Sequence, residues 1–123
     1  MGRLRIERVQ ELIKQEIGNI ILKDLKDPRI GFATVTRVKM TPDMRSARVF
    51  VSLMGDEAAA ANSWNGLSSS LGYIQREVGR RVRLRFTPTL SLERDDSLDQ
   101  GIHIQKILNE IRGGENTDEN FNE

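Results

Sequence analysis

An apolar stripe near the start of the chain constrains its fold more than any other feature. Within residues 4–26, apolar side chains fall on one arc of about 120° when each residue advances the helix by 100°. Basic and acidic side chains lie off this arc, which predicts a long amphipathic helix. Asp27-Pro28 predicts its end, because the residue before a proline avoids the helical conformation. The stripe consists of Ile6, Val9, Ile13, Ile17, Ile20 and Ile21.

Two runs rich in β-branched and aromatic residues follow the helix, at 32–40 and 46–54. This composition predicts two strands. The segment between them contains Pro42, which presets the φ angle of a turn, and Asp43, a common turn residue. We therefore expect an antiparallel hairpin closed by a short loop.

A second apolar stripe, with alternating steps of three and four residues, predicts another helical region. Asp56 is a favourable N-cap for its start, and Gly79 marks its expected end. Consecutive serines and a glycine weaken the helix in the middle. We therefore expect two helices that meet at a kink, formed by Ser70, Leu71 and Gly72, with the stripe continuing across it. The stripe consists of Trp64, Leu67, Leu71, Ile74 and Val78.

The spacing of apolar residues changes to two at Val82, which predicts a strand over residues 82–94. In this strand Leu84 and Phe86 should point inward with Val82, and the alternating arginines should point outward. Pro88 cannot donate a ladder hydrogen bond, so its position indicates a sheet edge or a bulge.

The end of the chain predicts one more helix and a tail. Ser97 and Gln100 match a capping box, and Gly113-Gly114 should end the helix that it opens. Residues 113–123 are predicted to form a disordered acidic tail. With 123 residues the chain suits one domain, which we place at residues 1–112.

Arginine is concentrated between Arg76 and Arg85, where five of ten residues are arginine and only Glu77 is acidic. Four of the 18 acids lie after Gly114 and none of the 19 lysines and arginines does, so the rest of the chain carries five excess positive charges. Guanidinium groups present a planar fork of donors that fits phosphate oxygens. The run therefore indicates nucleic-acid binding, and a solvated basic face is the alternative interpretation.

Three groups of basic residues are candidates for phosphate contacts. The first is the arginine run, the second lies near the start of the first helix, and the third lies on the hairpin. The six aromatic residues are too few to indicate a reader of single strands by stacking. The candidate RNA-binding residues are Arg3, Arg5, Arg8, Arg37, Lys39, Arg45, Arg76, Arg80, Arg81, Arg83 and Arg85.

Several short stretches, in this order and spacing, are specific when taken together. They are Arg8-Val9, Asp27-Pro28-Arg29, residues 33–38, Asp43, residues 47–52, residues 83–90, and residues 95–98 with Gly101. With the predicted order of elements, they resemble the ribosome-binding factor A family of bacteria. The resemblance covers about residues 3–112.

The resemblance implies a single type II KH-like domain of the α+β class, with the order α-β-β-α-kink-α-β and then a short C-terminal helix. Members of the family lack the GxxG clamp of ordinary KH domains, and no GxxG occurs in this chain. Their helix pair is kinked at an Ala-x-Gly signature, for which this chain has Ser70-Leu71-Gly72.

The resemblance also implies a function. It predicts a non-enzymatic assembly factor that binds the free small (30S) ribosomal subunit and its 16S rRNA. Such a factor assists late rRNA processing and subunit maturation, and it is linked to growth in the cold. We expect a monomer.

Several other classes of function are disfavoured. The chain has no cysteine, and His103 is its only histidine, which argues against thiol catalysis and zinc sites, so we expect no metal and no cofactor. No apolar run approaches the roughly 20 residues of a membrane span, and no secretory signal is apparent. We therefore expect a cytoplasmic protein that binds no membrane. Two alternatives stay open: an adaptor that binds ribosomal proteins without RNA contact, and metal-dependent RNA cleavage at Asp95 and Asp96.

Overall fold

A computed structural model describes residues 2–95. The elements are helix α1 (Arg3–Asn19) with a π-helical turn at its end (Ile20–Asp24), strands β1 (Ala33–Met40) and β2 (Ser46–Leu53), helices α2 (Glu57–Ser69) and α3 (Leu71–Arg81), and strand β3 (Thr89–Arg94). This is the predicted α-β-β-α-kink-α-β order. The predicted final helix, the tail and Asp96 lie outside the described residues.

The three strands form one sheet in the order β1-β2-β3. β1 and β2 are antiparallel, as a hairpin requires, and β3 runs parallel to β2. A parallel neighbour needs a crossover connection, which α2 and α3 provide. The helices cover one face of the sheet, and the core lies between them, with Ile13, Val49, Leu67 and Ile74 excluded from solvent.

The predicted stripe of α1 is the part of the helix that enters the core. Ile13, Ile17 and Ile20 are completely buried. The helix ends at Asp24, two residues before the predicted end, through a widened turn in which the Leu25 amide donates to the Ile20 carbonyl oxygen at 3.1 Å.

The two helices α2 and α3 meet at Ser70, where the sequence predicts the kink. Ser70 has φ −91° and ψ 0°, outside the helical region. Its amide donates to the carbonyl oxygens of both Gly66 and Leu67, at 3.1 and 3.0 Å. Leu67 and Ile74 are both fully buried on either side, so the apolar stripe does continue across the kink.

The predicted strand over residues 82–94 is wrong in its first half. α3 extends to Arg81, two residues past Gly79, and residues 82–88 form a loop before β3. In the parallel register Thr89 lies opposite Ser46, the first residue of β2. Earlier residues have no strand beside them, so alternation alone cannot make them a strand. Phe86 is also not inward as predicted, because its side chain is 49% exposed.

A side chain of α3 fixes the end of this loop. Gln75 donates from Nε2 to the Pro88 carbonyl oxygen at 2.6 Å, and its Oε1 accepts from the Leu90 amide at 2.8 Å. The Thr89 amide donates to the Arg45 carbonyl oxygen at 2.9 Å. These bonds tie the loop to α3 and to the hairpin turn, and they hold Phe86 close to Arg45.

Candidate nucleic-acid interface

Three candidate arginines from distant parts of the chain meet at one cleft. Arg5 comes from the first turn of α1, Arg45 from the hairpin turn, and Arg85 from the loop before β3. The cleft has a volume of about 330 Å³. We call it the arginine cleft, and its lining residues are Arg5, Asp43, Met44, Arg45, Leu84, Arg85 and Phe86.

Phe86 lies in the arginine cleft, close to two of its arginines. The guanidinium carbon of Arg45 is 4.4 Å from the centre of the Phe86 ring, and that of Arg85 is 5.5 Å away. Both distances are within the range in which a cation is attracted to an aromatic face. The ring therefore helps to hold two arginines near each other despite their equal charge.

Asp43 holds the turn that carries Arg45. Its Oδ1 accepts hydrogen bonds from the Thr41 hydroxyl at 2.6 Å and from the Arg45 amide at 3.0 Å. The hydroxyl bond is the main reason that the pKa of Asp43 lies below its usual value. Asp43 is therefore ionised at neutral pH, and the cleft combines three arginines with one carboxylate.

The start of α1 adds to the positive potential beside the cleft. Arg3 and Arg5 occupy its first turn, which holds no acidic residue. The N-terminus of a helix is its positive end, so arginine there is electrostatically unfavourable for the helix alone. A bound anion would relieve this repulsion. Arg8 is exposed on the next turn.

Arg81 occupies a different environment from the one that the sequence predicted. Glu77 is the only acid within the arginine run, but the fold brings two more acids from the first helical segment. Arg81 Nη2 donates to Asp24 Oδ2 and lies 3.2 Å from Glu77 Oε1, and Nη1 lies 3.8 Å from Glu16 Oε1. The hydrogen bond to Asp24 is the main cause that raises the pKa of Arg81. Arg81 therefore joins α3 to the end of α1.

The other arginines of the run are more accessible. Arg80 keeps 72% of its side chain exposed, although its Nη1 lies 2.7 Å from Glu77 Oε1. Arg76 on α3 and Arg83 in the following loop are both exposed. These three side chains can reach a partner molecule without breaking a contact in the core.

The hairpin carries its basic residues on the outer face of the sheet, opposite the helices. The guanidinium carbon of Arg37 lies 4.1 Å from the centre of the Phe50 ring, and that of Arg48 lies 5.0 Å from it. Glu93 receives two bonds from Arg48, at 2.6 and 2.8 Å, which lower the pKa of Glu93. Lys39 pairs with Arg48 in the ladder and is exposed.

Sequence reasoning missed two members of these surfaces. Alternation places Phe86 on the inward face only if the strand continues through residues 82–88, which form a loop. Arg48 is not among the predicted candidates, although it lies two residues before Phe50 along β2 and therefore shares its face. The acids near Arg81 could not have been found in this way, because Glu16 and Asp24 are far from it in sequence.

Comparison with known proteins agrees with this architecture. A family model described as ribosome-binding factor A matches residues 5–108. Ribosome-binding factor A of Acetivibrio thermocellus is 50% identical over 107 residues, which cover 86% of this chain and 87% of that protein. The chain belongs to the ribosome-binding factor A family.

Solved structures of this family have the same fold. The crystal structure of ribosome-binding factor A from Thermus thermophilus matches with a TM-score of 0.62 and 26% identity, covering 76% of this chain and 94% of that one. Coordinates of the same factor fitted into a cryo-EM map of its 30S complex match with a TM-score of 0.62 and 24% identity, covering 74% and 96%. The KH-like α+β fold expected from the sequence is confirmed.

The part of the chain that the structure describes contains neither a clustered metal site nor a membrane-spanning helix. Among residues 2–95, no group of three histidine, aspartate or glutamate side chains is arranged to hold a metal ion. Within the same residues, none of the helices combines the length and the apolar character needed to cross a bilayer. Asp95, half of the candidate cleavage site, accepts a hydrogen bond from the Thr36 hydroxyl at 2.5 Å.

Proposed function

We propose that this chain binds the free 30S ribosomal subunit by direct contact with 16S rRNA. In this proposal it acts as a cytoplasmic monomer that assists late rRNA processing and subunit maturation and catalyses no reaction. The observation that carries the proposal is the meeting of Arg5, Arg45 and Arg85 at one cleft. Membership of the family supports it, as does the related factor whose coordinates were fitted into a 30S complex.

The arrangement suits binding to a structured RNA more than it suits reading a sequence. Guanidinium groups held on a helix, a turn and a braced loop can make phosphate contacts in a defined geometry. Such contacts favour the RNA conformation whose phosphates match them, so binding shifts the populations of RNA conformations without breaking a bond. We propose that this population shift is how the chain assists subunit maturation.

Co-sedimentation with purified 30S and 50S subunits tests the first part of the proposal. We expect binding to 30S particles that falls steeply with salt, because each phosphate contact releases counterions. Replacing Arg45 and Arg85 with Gln should weaken binding and reduce the slope of log affinity against log salt by about 1 per lost contact.

A matched variant controls for the loss of charge. Lys23 is exposed and lies about 25 Å from Arg5 along the first helix, and Lys26 follows it. The double substitution of Lys23 and Lys26 with Gln removes the same charge and should leave the salt slope nearly unchanged. An equal effect of both double variants would show that only net charge matters. Binding to ribosomal proteins after digestion of the RNA would favour the adaptor alternative.

The maturation part of the proposal needs a cellular assay. Depletion of the protein in its source organism should lead to 16S rRNA with unprocessed ends, measured by primer extension, and to slow growth in the cold. A double Arg45 and Arg85 variant should restore processing poorly, whereas the Lys23 and Lys26 variant should restore it. Normal 16S ends after depletion would contradict this part of the proposal.

A further inference from the structure

Phe86 is an exposed aromatic residue whose surroundings are unusually well defined. It lies in the loop before β3 and leaves 49% of its surface in contact with solvent. The hydrogen bonds of Gln75 to Pro88 and Leu90 brace the end of this loop. The neighbouring Leu84 is packed against the core. An apolar ring is therefore presented to solvent by a supported segment.

Arg45, which lies over the ring, keeps its donors directed away from it. A guanidinium that lies over an aromatic face uses its flat surface for that contact, and its N–H groups point outward in its own plane. Arg45, 4.4 Å from the ring centre, can therefore extend the stacking surface and still donate to a phosphate oxygen. Arg85 and Arg5 line the same cleft.

The size of the cleft limits what it can hold. Its volume of about 330 Å³ is at the lower end of the roughly 300–1,000 Å³ found for ligand sites. In a duplex, the faces of the bases are stacked on one another and cannot reach a protein ring. Only an unpaired nucleotide offers both a free base face and a flexible phosphate.

The carboxylate in the cleft also favours a nucleotide over an acidic peptide. Asp43 would repel a carboxylate side chain that entered between the arginines. Both hydrogen bonds of Asp43 within the turn go to Oδ1. Its Oδ2 can therefore accept a hydrogen bond from the amino group of adenine or cytosine.

We propose that the arginine cleft holds one unpaired RNA nucleotide, with its base stacked on Phe86 and its phosphate bound by Arg45, Arg85 and Arg5. This inference rests on the proposed RNA binding and adds to it a site for a single-stranded residue. It assigns to Phe86 a role that charge alone would not give.

Fluorescence anisotropy tests the proposal with the full chain and a labelled single-stranded RNA heptamer of adenine and cytosine, at about 50 mM salt. Replacement of Phe86 with Leu keeps an apolar side chain but removes the aromatic face. We expect the dissociation constant to rise about fivefold, the lower end of the range for loss of one base stack. The loss should be clearly smaller when the same heptamer is paired with its complementary strand. Phe86→Trp should restore or tighten binding.

Phe32→Leu is the matched control. Phe32 is 68% exposed and lies about 25 Å along β1 from the hairpin turn. Its replacement should leave the dissociation constant for the heptamer unchanged, and the melting temperature of each variant reports whether it is folded.

Three outcomes would overturn the proposal. They are equal affinity of the wild type and Phe86→Leu for the heptamer, no binding of the heptamer by the wild type, and a loss of the same size for heptamer and duplex. If the wild type sediments with 30S subunits while any of these outcomes holds, only the nucleotide site fails. If the wild type does not sediment with 30S subunits, the proposed function fails, and the heptamer measurements still show whether the cleft binds a nucleotide.

Discussion

One methyl group added at Gly66 should lower the stability of the fold. Gly66 lies in α2 and is buried, and the loop over residues 27–31 passes directly against it. A Cβ atom at Gly66 would lie 2.6 Å from Ile30 Cγ1 and 3.4 Å from both Arg29 Cβ and Asp27 Cγ. The loop is also tied to the same helix, because the Gly31 amide donates to Ser63 Oγ at 3.0 Å.

The magnitude follows from two opposing effects. Carbon atoms prefer separations of about 3.5–4.0 Å, so Ile30 would have to move by roughly 1 Å. Overpacking of this kind costs about 1–3 kcal/mol. Alanine is favoured over glycine in a helix interior by about 1 kcal/mol. We therefore expect Gly66→Ala to lower the free energy of unfolding by up to about 2 kcal/mol.

Gly18→Ala supplies the matched control. Gly18 also lies inside a helix, but nothing lies within 4 Å of the Cβ that alanine would add. Only the helix preference remains, so Gly18→Ala should raise the free energy of unfolding by up to about 1 kcal/mol. The two variants should thus differ by about 1–3 kcal/mol, although each adds the same single carbon atom.

Urea and thermal unfolding followed by circular dichroism measure this difference. A change of 1 kcal/mol shifts the melting temperature of a domain of this size by about 4–8 °C, so the two melting temperatures should be clearly separated, with Gly66→Ala lower. If Gly66→Ala were as stable as Gly18→Ala, the close packing of the loop over residues 27–31 against α2 would be refuted as a source of strain.

Three further predictions concern polar contacts. Arg81→Gln should lower the melting temperature, because it removes a link between α3 and the end of α1, whereas Arg83→Gln should not; equal melting curves would contradict this. The pKa of Asp27 is lowered to about 2, chiefly by hydrogen bonds from Arg29, so its contribution to stability is complete above the unfolded pKa near 4 and is lost as the pH falls toward 2. Urea titrations of wild type and Asp27→Asn should therefore converge in that window. Asp56→Ala removes an N-cap whose Oδ1 accepts from the Ala59 amide at 2.8 Å, and it should cost about 1 kcal/mol in urea unfolding; Glu57→Gln, which leaves this bond intact, should cost clearly less.

Local patterns predicted most of the fold correctly because they depend on neighbours in sequence. The stripe of α1 and the serines before Gly72 act within one or two turns of a helix, so they indicate both the helices and the kink at Ser70. The same reasoning failed at residues 82–88. There alternation is present, but a strand also needs a neighbouring strand, and β2 begins only opposite Thr89.

The direction in which the Arg37 side chain points could not be predicted from the alternation within β1 either. Strict alternation from Val35 would place Arg37 inward and Val38 outward. The register between β1 and β2 shifts between Val35 and Arg37, so Thr36 is an extra residue. This bulge turns Arg37 to the outer face and leaves Val38 buried, 6% exposed. A bulge belongs to a pair of strands, and one strand's sequence does not reveal it.

The sequence alone determined most of the segments that become helices and strands, where the helix pair bends, and that lysine and arginine together outnumber the acids before Glu115. Each of these depends on residues a few positions apart. Only the tertiary structure decided what each arginine does: Arg81 meets acids of the first helical segment, while Arg5, Arg45 and Arg85 surround the exposed Phe86. Electrostatic energy depends on distance in space, and these distances are set by the packing of elements far apart in the chain.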